Sequence, residues 1–409
     1  MSVETSQQNI DGERSGVHHS SGAKLKDLTT LHIGGPVADY VQVHDEESLI
    51  EAVRDADAAQ RPLLVLGGGS NLIASDDPFD GTVVHVRPPL ESDESGVRSA
   101  LAPECGGIMV EHFAGVSWDA AVAHAIQHEL VGVECLSGIP GTVGATPIQN
   151  VGAYGQDVSQ SIARVRTWDR HTGTVRTFCA ADCEFGYRTS IFKRTPYRND
   201  AEGSPSQVAG VSTAPSEQPA SFPAESGTAS AHIAPTGRYV VLSVTFQHSQ
   251  GDLSRPIEYP ELAKALNVSV GQRVPMTQVR EAVLNVRRKK AMVVDPGDHD
   301  TWSAGSFFTN PIVTPDEMAG LPKDAPRFPL ADGRVKTSAA WLISHAGLTR
   351  GFGLNDRATL SGQHVLALTN RGGASSEDIR ELALYVRGKV SESFGIHLEV
   401  EPVRLGMQL

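Results

Sequence analysis

The glycine-rich run at residues 138–155, GIPGTVGATPIQNVGAYG, limits what this chain can fold into more than any other feature. Glycines recur every few positions, so the backbone can approach a ligand closely and its N–H groups can face phosphate oxygens. The spacing matches neither the G-x-G-x-x-G of a Rossmann unit nor the G-x-x-x-x-G-K-[ST] of a P-loop. A solvent-exposed glycine loop is the alternative, but apolar residues are interleaved with the glycines: Ile139, Val143, Ile148 and Val151. The run therefore predicts a cradle for the diphosphate of a nucleotide cofactor. The cradle belongs to neither the Rossmann nor the P-loop class.

A second glycine run, LGGGSN at residues 66–71, follows an apolar stretch that predicts a buried strand. Gly67, Gly68 and Gly69 have no side chains to block a ligand, and the Ser70 hydroxyl adds a hydrogen-bonding group. By itself this pattern fits a tight strand-to-helix turn equally well. It supports a phosphate site only in combination with the longer run.

The chain's length, charge and cysteines exclude several classes of protein. With 409 residues it is too long for one compact core, so about two or three domains are expected. Asp and Glu number 48 against 35 Lys and Arg, and the net charge of -13 disfavours a nucleic-acid-binding protein. No secretory signal or membrane-spanning stretch is visible, which predicts a cytoplasmic protein without a membrane partner. The four cysteines are Cys105, Cys135, Cys179 and Cys183. Their spacings fit neither a disulfide framework nor a zinc site, so no metal is expected.

Local patterns predict a β-α-β opening followed by a second region of strands. Residues 1–22 are polar and are predicted to be a disordered leader. The predicted elements that follow are strand 37–43, helix 47–59, strand 62–66, helix 117–129 with Ser117 as its cap, paired strands within 163–180, and strand 239–248. Residues 199–237 are rich in Ser, Pro, Ala and Gly, and strands are predicted on both sides. They are therefore predicted to be a disordered insertion rather than a linker between domains.

The last third of the chain predicts a separate α/β domain. Its predicted helices are 277–291, 338–347 and 375–395, and its predicted strands are 364–370 and 396–406. The resulting domain boundaries are 1–22 for the leader, 23–95 and 96–255 for two cofactor-binding subdomains, 256–395 for the C-terminal domain, and 396–409 for a final strand.

Four further motifs follow the glycine runs: FGYRTSIFK at 185–193, GSFFTNP at 305–311, VKTSAAWLI at 335–343 and LEVEPVRLG at 398–406. The two glycine runs resemble the FAD-binding half of the vanillyl-alcohol-oxidase-type flavoproteins. The later motifs, in this order, resemble the UDP-N-acetylenolpyruvoylglucosamine reductase family over about residues 24–406, interrupted by the insertion. The resemblance implies an α+β fold, with a two-part FAD-binding region and a C-terminal α/β substrate-binding domain.

The activity implied by the resemblance is reduction of UDP-N-acetylglucosamine-enolpyruvate to UDP-N-acetylmuramate, a step of peptidoglycan precursor synthesis. NADPH would give a hydride to FAD, and the reduced flavin would give it to the terminal carbon of the enolpyruvyl double bond. Hydride addition places negative charge on the next carbon, conjugated with a carboxylate. The enzyme must stabilise that charge and then deliver a proton. A monomer is expected, with NADPH and the UDP-sugar as partners.

Three residues match the family's catalytic positions. Arg188, in GYRTS, would hold the substrate carboxylate as it takes up enolate charge, although a surface ion pair is commoner for a single arginine. Ser306, in GSFFTNP, matches the proton donor to carbon, although a serine after glycine otherwise suggests a turn or helix cap. Glu401 matches the C-terminal glutamate. Glu399 would share its strand face, so the choice between them rests on the resemblance.

The resemblance also assigns binding residues. The UDP-sugar would contact Lys290, Asn310 and Lys336; Lys290 ends a basic stretch for which a solvated helix end is the alternative. The cofactor would contact Gly67, Gly68, Gly69, Ser70, Asn71, Gly138, Ile139, Pro140, Gly141, Gly144, Gln149, Asn150, Gly152, Ala153 and Tyr154. The sequence departs from the family's pattern at two tyrosine positions. A family tyrosine near the uridine-diphosphate site is Phe328 here, and the tyrosine of the substrate-covering loop is either Tyr259 or lost in the insertion region.

Two other functions compete with this interpretation. A flavin oxidase would use the same FAD-binding half, but it would have a different C-terminal domain and oxygen as acceptor. A binding module that has lost turnover would not need Arg188, Ser306 and Glu401 together. The motifs of the last third favour the reductase over both.

Overall fold

The first part of the fold is a four-stranded sheet with one helix against it. The computed structural model describes residues 17–20, 22–90, 102–104, 107–197 and 236–409. The elements of this part are β1 (Val17–Ser20), β2 (Val37–Val43), α1 (Glu46–Ala58), β3 (Leu63–Leu66), β4 (Leu72–Ala74) and β5 (Phe79–Val86). The sheet order is β1-β2-β5-β3, in which β2 and β3 run parallel to β5. This confirms the predicted β-α-β opening.

The second part is an antiparallel sheet that carries the longer glycine run. Its elements are β6 (Ala102–Glu104), β7 (Gly107–Phe113), α2 (Trp118–Gln127), β8 (Leu130–Val131), β9 (Gly152–Ala153), β10 (Gln156–Asp157), β11 (Ile162–Asp169), β12 (Thr174–Cys179), α3 (Ile191–Arg194) and β13 (Tyr239–Gln250). The sheet order is β12-β11-β13-β7-β6, and β8 pairs with the end of β13. The predicted pairing of strands within 163–180 is confirmed by the β11–β12 hairpin.

The third part is mostly helical with short strands. Its elements are α4 (Pro260–Leu266), α5 (Met276–Arg288), β14 (Ile312–Val313), α6 (Pro315–Ala319), β15 (Phe328–Pro329), β16 (Val335–Lys336), α7 (Ala339–His345), β17 (Ala358–Leu360), β18 (Leu368–Asn370), α8 (Ser376–Phe394) and β19 (Val403–Leu405). Ser375 caps α8 through a reciprocal bond with Asp378, and Gly395 ends it at φ +69. The chain combines several helices with a largely antiparallel sheet in the second part, which agrees with the predicted α+β class.

Two strands predicted near the C-terminus are much shorter than expected. The strand predicted at 364–370 is limited to β18, and the strand predicted at 396–406 is limited to β19. β19 pairs in parallel with β4 of the first part. Glu401 therefore does not lie on a strand, and the argument that Glu399 shares its strand face was wrong. Residues 399–401 instead lie beside 307–309, where only two main-chain bonds form: Thr309 N–H to Glu399 O and Glu401 N–H to Phe307 O, each 2.9 Å. A partner segment this short cannot support a longer ladder.

The predicted leader, 1–22, is too long by at least four residues. Residues 17–20 form β1, whose main chain pairs with β2 from Val17 opposite Val43 to Ser20 opposite Tyr40. Residues 1–16 lie outside the described residues, as do residues 199–235 of the predicted insertion, 199–237. The elements on either side of that stretch, α3 and β13, both belong to the second part. Its position within one unit agrees with an insertion rather than a linker.

The core of the third part includes residues from the start of the chain. Leu31 and Ile33, which precede β2, are buried in one cluster with Phe307, Leu342 and Leu382. The segment before β2 is therefore packed between the first and third parts. Among the residues that the structure covers, no helix is long and apolar enough to cross a membrane.

Two buried histidines on the central strands predict an acid-sensitive fold. His112 on β7 and His248 on β13 are each 3% exposed. Burial, with neighbouring groups contributing less, lowers the pKa of His112 to about 3 and that of His248 to about 4. The unfolded chain takes up these protons near pH 6.5, so their contribution to stability is complete above that pH and is lost as the pH falls toward 4. The two extra protons that these residues take up on the unfolded chain contribute roughly 2.7 kcal/mol per pH unit to the slope of stability against pH.

Urea unfolding at about pH 7 and about pH 5 measures this slope. His112→Phe is expected to reduce it by about 1.4 kcal/mol per pH unit, because one proton is removed from the linkage. His171→Gln is the matched control, since His171 is exposed in the β11–β12 turn. A His112→Phe slope equal to that of the control would contradict the prediction.

Candidate functional site

The two glycine-rich runs lie against each other. A β-carbon added to Gly68 would sit 2.8 Å from the α-carbon of Gly141, so neither loop has room for a side chain there. The Ser70 hydroxyl donates to the carbonyl of Pro140 at 3.2 Å. Loops that are far apart in the sequence therefore form one continuous surface.

Main-chain donors on this surface are available to a ligand. The N–H groups of Gly68, Gly69, Ser70 and Gly141 make no hydrogen bond to any residue that the structure describes. Gly68 is exposed and Ser70 and Gly141 are half-buried. Gly69 is buried at φ +60, and a β-carbon added to it would lie 2.0 Å from the Leu28 carbonyl oxygen. Buried or half-buried N–H groups without partners are rare. Several of them in adjacent loops form a concave donor surface that suits phosphate oxygens.

Gly138, at the start of the longer run, is held from both sides. Its N–H donates to Asp119 of α2 at 2.6 Å, and its carbonyl accepts from Arg287 of α5 at 3.2 Å. Arg280, also on α5, binds both carboxylate oxygens of Asp119, at 2.6 and 2.8 Å. Burial acts to raise the pKa of Asp119, but hydrogen bonds from Arg280 and Gly138 hold it below the ordinary value. A carboxylate that stays charged thus fixes the loop.

Two of the predicted cofactor glycines are required by packing. Gly144 is buried, its N–H pairs with the Ala114 carbonyl at 2.9 Å, and a β-carbon would lie 2.5 Å from that of Ala114. Gly152 lies in β9, where a β-carbon would lie 2.8 Å from that of Asp157. The other predicted members of the two runs are half-buried along the same surface: Gly67, Asn71, Ile139, Pro140 and Ala153.

The predicted side-chain amides of the longer run contact protein groups. Asn150 donates to the Gly186 carbonyl and accepts from the Ser159 N–H, both at 3.1 Å. Gln149 donates to the main-chain carbonyl of Glu401 at 3.2 Å. The Asn150 amide therefore positions the neighbouring turn. Gln149 ties the glycine run to the C-terminal segment, a link that sequence spacing did not predict.

Arg188 and Glu401 form an ion pair beside the glycine run. Nε of Arg188 lies 2.8 Å from Oε1 of Glu401 without the alignment of a hydrogen bond, and an Nη donates to the Gly152 carbonyl at 3.0 Å. Burial raises the pKa of Glu401, while the charges of Arg188 and Lys193 oppose the increase. The alternative carboxylate, Glu399, is exposed. The geometry therefore supports Glu401, and it brings together two residues that are far apart in the chain.

A cationic surface around Tyr187 adjoins this pair. Lys336 Nζ lies 4.8 Å from the centre of the Tyr187 ring, and the Arg188 guanidinium lies 5.6 Å from it. The Asn310 N–H donates to the Tyr187 hydroxyl at 3.3 Å, and the Asn310 side-chain oxygen accepts from the Ala339 N–H at 3.0 Å. Two of the three predicted substrate contacts, Asn310 and Lys336, thus lie together. Tyr187 was not predicted, although it precedes Arg188 in the same motif.

Ser306 lies at the start of the segment that pairs with the C-terminal chain. The next residue, Phe307, accepts the Glu401 N–H at 2.9 Å, so the main chains of the serine turn and of Glu401 are adjacent. Gly305, before Ser306, has φ +75, which suits glycine. The Ser306 side chain is half-buried, and within the described chain its hydroxyl makes no hydrogen bond. The hydroxyl is available to a substrate.

Lys290, the third predicted substrate contact, lies in a different group of side chains. Its Nζ pairs with Glu261 of α4 at 2.7 Å. Tyr259, at the start of the same helix, packs edge-to-face on Tyr154 with ring centres 5.6 Å apart. Phe328 has no hydroxyl, and its side chain is 51% exposed. The structure therefore links Tyr154 to Tyr259, and it pairs Lys290 with Glu261 of the helix that begins after Tyr259.

Sequence profiles and known proteins are similar to this chain over most of its length. The profile described as "FAD binding domain" matches residues 37–178, and "UDP-N-acetylenolpyruvoylglucosamine reductase, C-terminal domain" matches residues 295–405. A relative from Cutibacterium acnes named UDP-N-acetylenolpyruvoylglucosamine reductase is 49% identical over 384 residues, covering 93% of this chain and 89% of the relative. A relative of the same name from Thermobifida fusca is 45% identical over 395 residues, covering 94% and 97%.

A solved structure supports the fold. The UDP-N-acetylenolpyruvylglucosamine reductase (MurB) from Thermus caldophilus is similar with a TM-score of 0.55 at 23% sequence identity, covering 95% of this chain and 98% of that one. The sequence predicted an FAD-binding region followed by the family's C-terminal domain. The two profiles confirm this order. On identity and coverage together, the chain belongs to the UDP-N-acetylenolpyruvoylglucosamine reductase family.

Proposed function

We propose that the chain reduces UDP-N-acetylglucosamine-enolpyruvate to UDP-N-acetylmuramate at the junction of the glycine cradle, the Arg188–Glu401 pair and the Ser306 turn. The observation that carries this proposal is the meeting of these three features. Gln149 of the glycine run donates to the Glu401 carbonyl, and the Glu401 N–H donates to Phe307, next to Ser306. A cofactor site and two candidate reaction groups are therefore joined through the main chain of one C-terminal segment.

The cradle fits the cofactor of this family. The N–H groups of Gly68, Gly69, Ser70 and Gly141 would hold the FAD diphosphate, since they have no partner in the described chain and no side chain would block them on the glycines. When bound, FAD passes a hydride from NADPH to the substrate. The protein's own contribution is to hold the cofactor, orient the substrate and manage charge and protons.

Arg188 would stabilise the negative charge that develops on the substrate. Its guanidinium is half-buried, and its two Nη atoms donate to the carbonyls of Gly152 at 3.0 Å and Asn150 at 3.5 Å, which orients the group. The second N–H of each Nη can bind a carboxylate oxygen more strongly as that oxygen gains charge. The left-handed backbone of Arg188, at φ +54, costs free energy that surrounding contacts must offset, which is typical of residues held for function.

Ser306 and Glu401 would handle the proton. The Ser306 hydroxyl has no partner in the described chain and would donate a proton to the carbon next to the carboxylate. A hydroxyl is a weak acid, so it needs a nearby group to supply or stabilise the proton. Glu401 suits this role because burial raises its pKa, which keeps the carboxyl protonated to a higher pH than an exposed glutamate. Lys336 and Asn310, near Tyr187, would bind the anionic UDP portion.

An anaerobic two-step colour experiment tests the function. The purified protein should be yellow, should bleach when NADPH is added, and should regain its colour when the enolpyruvyl UDP-sugar is added without oxygen. Return of colour only on admitting oxygen would identify a flavin oxidase. A protein that binds flavin or the UDP-sugar without bleaching would be a binding module, and absence of bound flavin would refute the proposal.

The contact between the two glycine loops makes flavin binding sensitive to one added methyl group. Gly68→Ala is expected to force the loops apart, because its β-carbon would lie 2.8 Å from the backbone of Gly141. We expect FAD affinity to fall at least about tenfold, equivalent to about 1.4 kcal/mol. The ratio of flavin to protein absorbance after dialysis measures the loss.

Gly388→Ala is the matched control for this variant. Gly388 lies in α8, where an added β-carbon meets nothing within 4 Å among the residues that the structure describes. The control should retain FAD and gain slight stability from alanine's helix propensity. Equal flavin content in the two variants would contradict the role of the loop contact. The monomeric state and the cytoplasmic location expected from the sequence stay predictions.

A further inference from the structure

Thr30 connects the cofactor cradle to the turn that carries Ser306. Its N–H donates to the carbonyl of Gly69 at 3.2 Å. Its hydroxyl donates to the carbonyl of Ser303 at 2.6 Å. Gly69 belongs to the cradle, and Ser303 lies three residues before Ser306. One residue thus makes a hydrogen bond to each of the two loops between which the reaction is proposed to occur.

The cradle side of this connection has little freedom to move. A β-carbon on Gly69 would lie 2.0 Å from the Leu28 carbonyl oxygen, so the chain before Thr30 is in close contact with the loop. Leu31, directly after Thr30, is buried in the core of the third part. The Asn370 side chain donates to the carbonyls of Leu31 and His32, both at 3.1 Å. Residues 28–32 therefore form a fixed support beside the cradle.

The Ser306 side is held by both packing and hydrogen bonds. Ser303 forms an isolated bridge with Thr369, and its hydroxyl accepts from the Gly305 N–H at 3.3 Å. Ala304 and Phe307 are buried in the core of the third part, whereas an added β-carbon on Gly305 would meet no atom within 4 Å in the described part of the chain. Packing therefore holds the residues that flank Gly305 and Ser306, and the hydrogen bond to the Ser303 carbonyl is a further restraint on where Ser306 lies.

We propose that Thr30 is a positioning residue for the reduction: its hydroxyl sets the separation between the cofactor cradle and Ser306. This inference rests on the proposed function, in which Ser306 acts on a substrate lying against the flavin. Thr30 would not contact substrate or cofactor. Misplacement of a reacting group by about 1 Å lowers a rate by up to about 100-fold. Loss of the restraint should therefore slow the step that uses Ser306 and spare the step that does not.

Three variants and the wild-type holoenzyme test the proposal. Thr30→Val keeps the side-chain shape and the N–H but removes the hydroxyl, whereas Thr30→Ser keeps it. Thr29→Val is the matched control, because the Thr29 hydroxyl donates to the Ile33 carbonyl at 3.2 Å within the same segment. Stopped-flow absorbance under anaerobic conditions measures two rates for each protein: bleaching by NADPH, and return of colour with the enolpyruvyl UDP-sugar.

We expect Thr30→Val to slow the return of colour about 10- to 100-fold while bleaching stays within about twofold of the wild type. Thr30→Ser and Thr29→Val should stay within about twofold in both steps. A general structural defect would instead slow both steps or release flavin, and either result would overturn the positioning role. So would return of colour as fast in Thr30→Val as in Thr29→Val. Wild-type protein whose colour never returns would overturn the proposed function itself, and the positioning role with it.

Discussion

Ser306→Ala is expected to slow the return of flavin colour with the enolpyruvyl substrate by about 10²–10⁴-fold, the usual contribution of a positioned proton donor. Bleaching by NADPH should be nearly unchanged, because hydride transfer to the flavin uses no proton from this serine. The hydroxyl makes no hydrogen bond in the described chain, so its removal leaves no protein group without a partner and should not change folding. Anaerobic stopped-flow measurement of the two steps gives both rates.

Ser344→Ala is the control for this variant, since Ser344 is exposed on α7. It should match the wild type in both steps. A Ser306→Ala protein that loses both steps equally would refute the assignment of Ser306 as proton donor, and the defect would then lie in flavin binding or folding.

Arg188→Met is expected to lower the rate of substrate reduction by about 10²–10³-fold, as loss of a donor to a developing negative charge does elsewhere. It also removes the partner of Glu401. Burial then acts on that carboxyl with less opposition, and its pKa rises further. We expect a loss of stability of about 1–3 kcal/mol, less than for a fully buried pair because the Arg188 and Glu401 side chains are 25% and 16% exposed. Urea unfolding and the two-step assay measure the two effects.

The double variant Arg188→Met/Glu401→Gln separates stability from catalysis. Replacing the carboxyl by a neutral amide removes the unpaired buried charge, so most of the lost stability should return. Activity should not return, because both reaction groups are missing. Recovery of activity together with stability would show that the pair acts only through folding.

Sequence motifs predicted which residue types meet at the site, but not their partners. The two glycine runs implied a diphosphate cradle because glycine is needed wherever backbone approaches backbone or ligand, and Gly68 against Gly141 shows such a contact. The anchors of that cradle were not predicted. Asp119 lies in the first turn of α2, and Arg287 belongs to the basic stretch that ends at Lys290; only their contacts with Gly138 identify them as anchors of the cradle.

The C-terminal segment shows why local pattern was not sufficient. Alternating apolar residues predicted one strand over 396–406, yet strand structure requires a partner, and only Val403–Leu405 find one, in β4. The remainder passes across the site, where the Glu401 main chain bonds to Phe307 and Gln149. The structure places Glu401 beside Arg188, and its role stays a prediction; the strand argument that compared it with Glu399 was wrong.

By itself, the sequence determined the α+β class and the family, and it predicted a cofactor cradle and the residue types proposed for charge stabilisation and proton transfer. These features depend on local chemistry: glycine spacing, helix caps and short motifs that each lie within about twenty residues. The tertiary structure decided what brings them together. Thr30 between Gly69 and Ser303, Gln149 on Glu401, and Glu401 beside Arg188 are contacts between distant segments. Such contacts form only when packing of the three parts brings those segments together, and no local pattern specifies them.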